Sequence, residues 1–429
     1  MLVTVEVGAG PAPVSRTGSH QVLSAKSLRT NFSWTFVGNA VYAAGQWAIL
    51  SLFAKLGDDR MLGEYALAVA ITTPLVMLSH LNLRAVLATD IGRKHRFGDY
   101  LAVRIAVTSL GLTGVIALAW AKASSPTMAW IILTAGVAQS SETVSDIYYG
   151  ALQRQDCMGR IARSMILRAV LSVGVLGAVL ALTRSTLASV IALAAARLAV
   201  LLLYDRHAGE PLDRSGLPAQ WAILRSALPL GAVLALISLN TNVPRYIIEH
   251  RLGTEALGVY AAVASFVTAG NTVVNALGQA AMPRLARSFA ARNRDAVLRL
   301  AYQLVGLASA LGVAGVGIAA IAGAPILRLL FHAGFVQHAW LLTQVMLAAV
   351  PAYVAATLGF VITSARVFGA QAELFLFVLA TCMAASLLLI PRFGLSGAPM
   401  ALACASGVQI IGEGVILALA LRRMEAEKK

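Results

Sequence analysis

Residues 162–205 read ARSMILRAVLSVGVLGAVLALTRSTLASVIALAAARLAVLLLYD. Two apolar runs, 162–183 and 186–205, are parted only by Arg184 and Ser185. A run of about 20 apolar residues is the length of an α-helix that crosses the hydrocarbon core of a bilayer. So short a connection makes the two helices antiparallel neighbours.

Working outward, the same pattern recurs along the chain. The expected spans, numbered 1 to 12, are 29–55, 62–86, 100–121, 127–151, 162–183, 186–205, 222–248, 256–283, 297–322, 337–363, 370–390 and 396–421. Of 429 residues, 59% are hydrophobic and 12% are charged, against roughly 25% charged in a soluble domain. The sequence predicts an all-α polytopic membrane protein with about 12 transmembrane helices. The longest polar connection, near 206–221, holds Arg206, His207, Glu210, Pro211, Asp213, Arg214 and Pro218. It divides the chain into a first six-helix lobe, 29–205, and a second, 222–422, with tails at 1–28 and 423–429. Residues 1–26 carry Gly, Pro, Ser and scattered charge, the composition of a disordered tail.

The net charge is +15. In a soluble protein that excess would raise nucleic acid as a partner, but here its placement decides otherwise. Lys and Arg concentrate in every second connection, about 25 on one side and about seven on the other. Such asymmetry orients membrane proteins with the basic side cytoplasmic and adds attraction to anionic lipid headgroups. Both termini and the 206–221 linker are therefore expected in the cytoplasm, and no nucleic acid is expected as a partner.

The halves resemble each other. Leu56-Gly57 followed by Gly63 and Tyr65 comes after span 1, and Leu252-Gly253 followed by Gly258 and Tyr260 comes after span 7. Basic loops follow spans 2 and 8: Arg93-Lys94-His95-Arg96, and Arg284 to Arg294. Six spans per half make this a parallel repeat about an axis along the membrane normal, an arrangement that places a substrate path between lobes.

Catalytic motifs are missing. The chain contains no GxxxxGK[ST], HExxH or GxSxG, and its seven histidines are scattered. Cys157, Cys382 and Cys404 lie far apart and form no CxxC pair, so neither a metal site nor a disulfide framework is expected. With no cofactor and no catalytic residues in view, a secondary transporter fits better than an enzyme.

Polar side chains within spans are costly and are expected to face a cavity or one another. At 100° per residue, Asn31, Thr35, Asn39, Tyr42 and Gln46 share an arc of about 80° on span 1. On span 2, Thr73, His80 and Arg84 share about 40°. Ser238, Thr241, Asn242 and Arg245 form the stripe of span 7. Thr268, Asn271, Asn275 and Gln279 form that of span 8. Spans 1 and 2 correspond to 7 and 8 under the repeat, which predicts a hydrated central cavity; interhelical hydrogen bonding is the alternative for any one residue. Arg84 and Arg245 are candidates for holding an anionic headgroup, because a guanidinium keeps its charge and matches phosphate oxygens. Snorkelling to the lipid headgroups is the other reading of both. Arg168 and Arg197 are further candidates. Glu142 and Asp146 on span 4 and Glu413 on span 12 could couple transport to an ion; the alternative is internal pairing with Arg154, Arg168 or Arg197.

Several stretches resemble the O-antigen and exopolysaccharide flippases of the multidrug/oligosaccharidyl-lipid/polysaccharide (MOP) superfamily. They are Asn31-Phe32-Ser33-Trp34 with Gly38-Asn39; Gly63-Glu64-Tyr65-Ala66-Leu67-Ala68; and Leu83-Arg84 with Ala88-Thr89-Asp90. Gly150 to Arg154 with Arg160 to Ser164, and Pro391 to Ala398, are similar to the family's connections between spans 4 and 5 and spans 11 and 12. The resemblance implies a MATE-like V of two six-helix lobes, lined by spans 1, 2, 7 and 8, in the bacterial inner membrane. It further implies a polyprenyl-diphosphate-linked oligosaccharide, flipped from the cytoplasmic to the outer leaflet for lipopolysaccharide or exopolysaccharide biosynthesis. Glycosyltransferases and a glycan polymerase would be partners. Three rivals remain open on sequence: a drug or metabolite exporter or peptidoglycan-precursor flippase on the same fold, a membrane glycan-assembly enzyme, and a scaffold.

Overall fold

The computed structural model describes residues 25–90, 94–207, 210–365 and 368–426. The first lobe comprises α1 (Ala25–Leu56), α2 (Asp59–His80), α3 (Leu83–Thr89), α4 (Phe97–Lys122), α5 (Pro126–Arg154), α6 (Met158–Thr183) and α7 (Thr186–Leu203). The second comprises α8 (Leu217–Leu252), α9 (Thr254–Ala290), α10 (Arg294–Leu330), α11 (Ala339–Ser364), α12 (Phe368–Phe393) and α13 (Gly397–Ala426). No strand occurs among the described residues. A helix satisfies its own backbone hydrogen bonds, the condition for residing in lipid. Ends are set locally. Asp58, Ser125, Ser185 and Asn293 accept bonds from the first-turn amides of Met61, Met128, Ala188 and Ala296. Gly253, at φ +91°, supplies the one-residue turn between α8 and α9.

The protein is a multi-pass membrane protein. Ten segments are long and apolar enough to cross a bilayer, and one of them, Ala370–Arg422, contains both α12 and α13. The helix not among the ten is α5, whose middle is polar: Gln139, Ser140, Ser141, Glu142 and Thr143. With α5 included and α2 and α3 taken as one crossing, the described helices make the twelve expected spans.

One expected span is broken. The continuous helix 62–86 divides at Leu81 and Asn82, both with φ +50°. The break persists because its freed carbonyls are capped from inside the lobe. The Arg104 guanidinium donates to Ser79 O (3.3 Å) and His80 O (2.7 Å). Asn is among the non-glycine residues that best tolerate the left-handed region, while Leu81 is held by burial.

Within the first lobe, α1 lies close along α6. A Cβ on Gly38 would stand 2.8 Å from Ala162 Cα, and one on Gly45 2.8 Å from Ala169 Cβ. Small residues seven apart thus bring two helix backbones together, the means of association available where lipid is as apolar as the side chains.

Helices α2 and α9 bring the lobes together at the end poor in basic residues. The N-terminal turns of α2 and α9 touch backbone to backbone: a Cβ on Gly63 would overlap the Thr254 carbonyl, and one on Gly258 the Asp59 carbonyl. Asp59 Oδ1 lies 3.1 Å from His332 Nε2, and Lys55 Nζ donates to Leu329 O (2.6 Å). Deeper in, Trp47 Nε1 donates to Ser265 Oγ (2.6 Å), and the Trp47 ring packs edge-on to Phe266. Toward the basic end, Trp34, Phe36 and Val37 of α1 and Val273, Asn275 and Gln279 of α9 are exposed.

The linker is fixed to the first lobe. Arg154 pairs with Glu210 (2.7 Å), and the Asp99 carboxylate accepts from the amides of Ser215 (2.9 Å) and Gly216 (3.4 Å). The helix after it begins at Leu217, five residues before the expected 222.

Gly38→Val forces α1 off α6 and lowers stability by about 1–3 kcal/mol. Gly174→Ala, at a site with open space around it, does not; thermal unfolding in detergent compares the two. At the lobe contact, Gly258→Val separates α2 from α9. A cysteine at Ser51, whose hydroxyl donates to Leu330 O across the lobe contact, then reacts faster with a polar maleimide, in a variant lacking Cys157, Cys382 and Cys404, than it does with Gly258 intact.

Candidate functional site

On α5, Gln139, Glu142, Asp146, Tyr149 and Gln153 recur at intervals of three and four residues and therefore share one face. Every one of them has a polar partner. Gln139 Nε2 donates to Thr72 Oγ1 (2.6 Å). Glu142 Oε2 accepts from Arg197 Nη1 (2.9 Å), and Glu142 Oε1 lies 4.0 Å from Arg168 Nη1. Asp146 stands among three basic side chains: His80 Nε2 at 3.1 Å, Arg84 Nη1 at 3.2 Å and Arg104 Nη2 at 3.8 Å. The Tyr149 hydroxyl bonds Ser164 Oγ (2.7 Å), while its ring lies under the guanidinium groups of Arg84 and Arg168. Gln153 Oε1 accepts from Arg84 Nε (3.1 Å). Asp205, beyond α7, completes the array by accepting from Arg168 Nη2 (2.8 Å) and from Ser164.

The charge does not balance. Arg84, Arg104, Arg168 and Arg197 face Glu142, Asp146 and Asp205, so four positive charges less three negative leave +1 with His80 neutral. Buried polar atoms also remain without partners among the described residues, including His80 Nδ1, Arg104 Nε and Arg197 Nε. An uncompensated positive charge at membrane depth is expensive unless an anion or water reaches it. Arg84 is where that can happen: its side chain is 32% exposed, whereas Arg104 is 0% exposed and Arg168 2%.

The expected headgroup contacts thus divide. Arg168 and Arg197 are covered and bound to carboxylates, so in this conformation they brace the lobe instead of presenting themselves to a ligand. Arg84 is open and shares Asp146. Arg245, on α8, has no carboxylate partner among the described residues; Asn242 Oδ1 accepts from its Nη1 at 3.3 Å, and Tyr246 and Tyr260 are its electrostatic neighbours. Arg84 lies toward the basic end and Arg245 toward the opposite end, about 10 Å inside the end of α8 at 1.5 Å per residue.

The polar stripes divide likewise. Thr35 and Asn39 of α1 are exposed, as are Thr268, Asn275 and Gln279 of α9, with Asn271 half-buried. On membrane helices, uncovered amides face water-filled space in preference to lipid. Gln46 turns into the lobe and accepts from Arg197 Nη2 (3.3 Å). Asn242 is not open to a cavity: it is buried and donates to Ser238 O (2.8 Å), which leaves its oxygen to steady Arg245. His80 is half-buried against Asp146. The side chain of Asn31 lies outside the described residues. Glu142 and Asp146 pair with arginines; Glu413 does not, its oxygen Oε1 accepting from Gln409 Nε2 (3.0 Å).

Sequence reading missed Arg104, Asp205, Gln139, Tyr149 and Gln153. The interval of three and four residues along 139–153 was there to be read.

Two kinds of likeness bear on this geometry. Residues 29–289 match the model of a family described as polysaccharide biosynthesis protein. This chain belongs to that family. The capsular polysaccharide biosynthesis protein CapF of Staphylococcus aureus is 22% identical over 387 residues, covering 89% of this chain and 97% of CapF. An inward-facing multidrug-resistance MATE transporter of the MOP superfamily superposes with a TM-score of 0.73 at 11% identity, covering 92% of this chain and 99% of the other. An outward-facing MATE transporter gives 0.63 at 12% identity, covering 94% and 96%. The lipid II flippase MurJ in an inward closed conformation gives 0.69 at 9% identity, covering 91% and 87%. The family member thus has the fold of MOP-superfamily transporters, two lobes of six crossings each. Both the family and the fold are of transporter type.

Replacing Arg104 leaves Asp146 with one guanidinium fewer and strips the cap from the α2 break. Arg104→Ala lowers stability by about 3–5 kcal/mol, the cost of breaking a buried charge pair, and is read as a lower melting temperature. Arg225→Ala, an exposed cation on α8, leaves melting unchanged.

Proposed function

We propose that this polysaccharide biosynthesis family member is a flippase for a polyprenyl-diphosphate-linked oligosaccharide. It carries its substrate from the cytoplasmic to the outer leaflet of the bacterial inner membrane, for lipopolysaccharide or other exported polysaccharide. Both termini and the basic end are cytoplasmic, in keeping with the distribution of Lys and Arg.

The observation that carries this reading is the pair of cations in membrane spans whose charge is not matched. Arg84 is exposed within a cluster that keeps +1, and Arg245 has no carboxylate partner among the described residues. A diphosphate diester supplies the missing negative charge, and a guanidinium fork suits its oxygens. Arg84 meets the headgroup near the basic end and competes with Asp146 for it. Asp146 stays compensated during that exchange, because His80 and Arg104 remain beside it. Arg245 takes the diphosphate nearer the opposite end.

Thr35, Asn39, Thr268, Asn275 and Gln279 offer hydrogen bonds to sugar hydroxyls, and the polyprenyl chain stays in lipid. The lobes then rock about the site: the α2–α9 contact opens, the basic end closes, and the headgroup leaves on the other side. Glycosyltransferases that build the oligosaccharide and a polymerase that extends it are the expected partners. The protein itself makes and breaks no bond.

The test is leaflet exchange of a fluorescent polyprenyl-diphosphate oligosaccharide in proteoliposomes. Arg84→Ala and Arg245→Ala each slow exchange by about tenfold or more, one charge-assisted hydrogen bond being worth roughly 1.5–3 kcal/mol. Exchange unaffected by both substitutions would remove the headgroup assignment. Exchange of a peptidoglycan precursor but of no oligosaccharide would keep the anion site and change the cargo.

A further inference from the structure

Glu413, near the middle of α13, is fully buried. One carboxyl oxygen accepts from Gln409 Nε2 (3.0 Å), and the other is enclosed without a hydrogen-bond partner. It occupies a small polar junction of three helices. Gly359 of α11 stands opposite, where a Cβ would come 3.3 Å from Glu413 Oε1 and 3.8 Å from Gln371 Nε2 of α12. Glycine there leaves the room that the carboxyl and the amide fill. The Gly359 carbonyl is already engaged by Thr363 Oγ1 (2.8 Å) and Gln371 Nε2 (3.5 Å).

Charged groups on the surrounding elements are turned elsewhere. From Ala339 to Ser364, α11 contains no charged residue, and its Tyr353 hydroxyl donates to Val267 O (3.1 Å). On α12, Glu373 and Arg392 are exposed and the Cys382 thiol faces Asn240 O (3.4 Å). On α13 itself, Arg422 is exposed. Of the ionic groups on α8, Arg225, His250 and Arg251 are exposed, Glu249 lies in its last turn, and Arg245 faces Asn242. Glu142 and Asp146 have guanidinium partners in the first lobe; among the described residues Glu413 has one amide partner and no cation.

An ionised carboxylate in such surroundings costs far more than the neutral acid. We propose that Glu413 is a proton-binding site of the second lobe, holding a proton while α11, α12 and α13 are packed as here. When that junction opens to water, the O–H bond breaks, its electron pair stays on the carboxylate and the proton passes to water. Proton loss and opening are then linked. A high pH favours the opened junction and a low pH the packed one, because the two conformations differ in affinity for the proton. Whatever cargo moves between the lobes, its transport responds to pH through a group that never touches it.

Dicyclohexylcarbodiimide reports this directly on the intact protein. The reagent is apolar and modifies protonated carboxyl groups, and peptide mass spectrometry locates the adduct. The expected result is an adduct on Glu413 at pH 6 that is lost at pH 9, with no adduct at that position in Glu413→Gln. In the same variant, the labelling rate of a cysteine at Ser51 varies with pH only as far as that of a cysteine at the partly exposed Ser288, which reports thiol ionisation alone. An unmodified Glu413 at pH 6, or equal modification at both values, overturns the proposal. Protection by sodium and not by potassium chloride also overturns it, by assigning the site to a sodium ion. No arm uses the oligosaccharide, so a failed flippase assay and a failed proton site are separate results.

Discussion

Charge buried in a membrane helix must be compensated from within the protein, and in this chain α5 is where that requirement concentrates. Glu142 and Asp146 on one face of α5 draw Arg197 and Arg168 from α7 and α6, and Arg84, Arg104 and His80 from α3, α4 and α2. Five helices of the first lobe are tied to α5 by groups that would otherwise be too costly to bury. The polar middle that makes α5 a poor membrane helix by composition is therefore what gathers the lobe around it.

The break between α2 and α3 belongs to the same network. A helix end inside the membrane leaves carbonyls without partners, and Arg104 supplies donors to two of them while it faces Asp146. Leu78 and Leu81, on either side of the break's start, lie against Gly231 of α8. Through that contact, α8, the first helix after the linker, rests its N-terminal half on the first lobe, while Val243, farther along, is buried with Leu374 and Val378 of α12. A change in the charge held near Arg84 thus has a short mechanical route to the second lobe: Arg84 to Asp146, Arg104 to the His80 carbonyl, Leu81 to Gly231.

Much of this was legible beforehand because it follows from composition and period. Twelve spans, the division near 206–221 and the repeat of Gly63-x-Tyr65 in Gly258-x-Tyr260 are all readable from apolar runs and turn residues. The structure gives the two glycines a shared position, at the contact of α2 with α9. Arg84 and Arg245 are conspicuous in the sequence because a charge in an apolar run stands out. The break at Leu81 was not, since no proline or glycine marks it and its cap arrives from Arg104, 23 positions later. Nor could sequence separate Glu142 and Asp146 from Glu413. All three are acids in membrane spans, and what distinguishes them is which helices lie opposite.

That distinction makes the two lobes chemically unequal despite their common architecture. The first carries a nearly compensated ionic spine, stiff because each member has several partners. The second holds together through apolar surfaces such as Phe331, Phe335 and Tyr353, with one buried carboxyl at the junction of α11, α12 and α13. Rocking of one lobe against the other demands a partner that keeps its shape and a partner that can repack. Ion pairs resist rearrangement because separating them leaves buried charges bare, whereas apolar helix faces can slide at the cost of packing alone. The inequality assigns rigidity to the lobe that carries the ionic cluster around Arg84 and rearrangement to the lobe that contains Glu413.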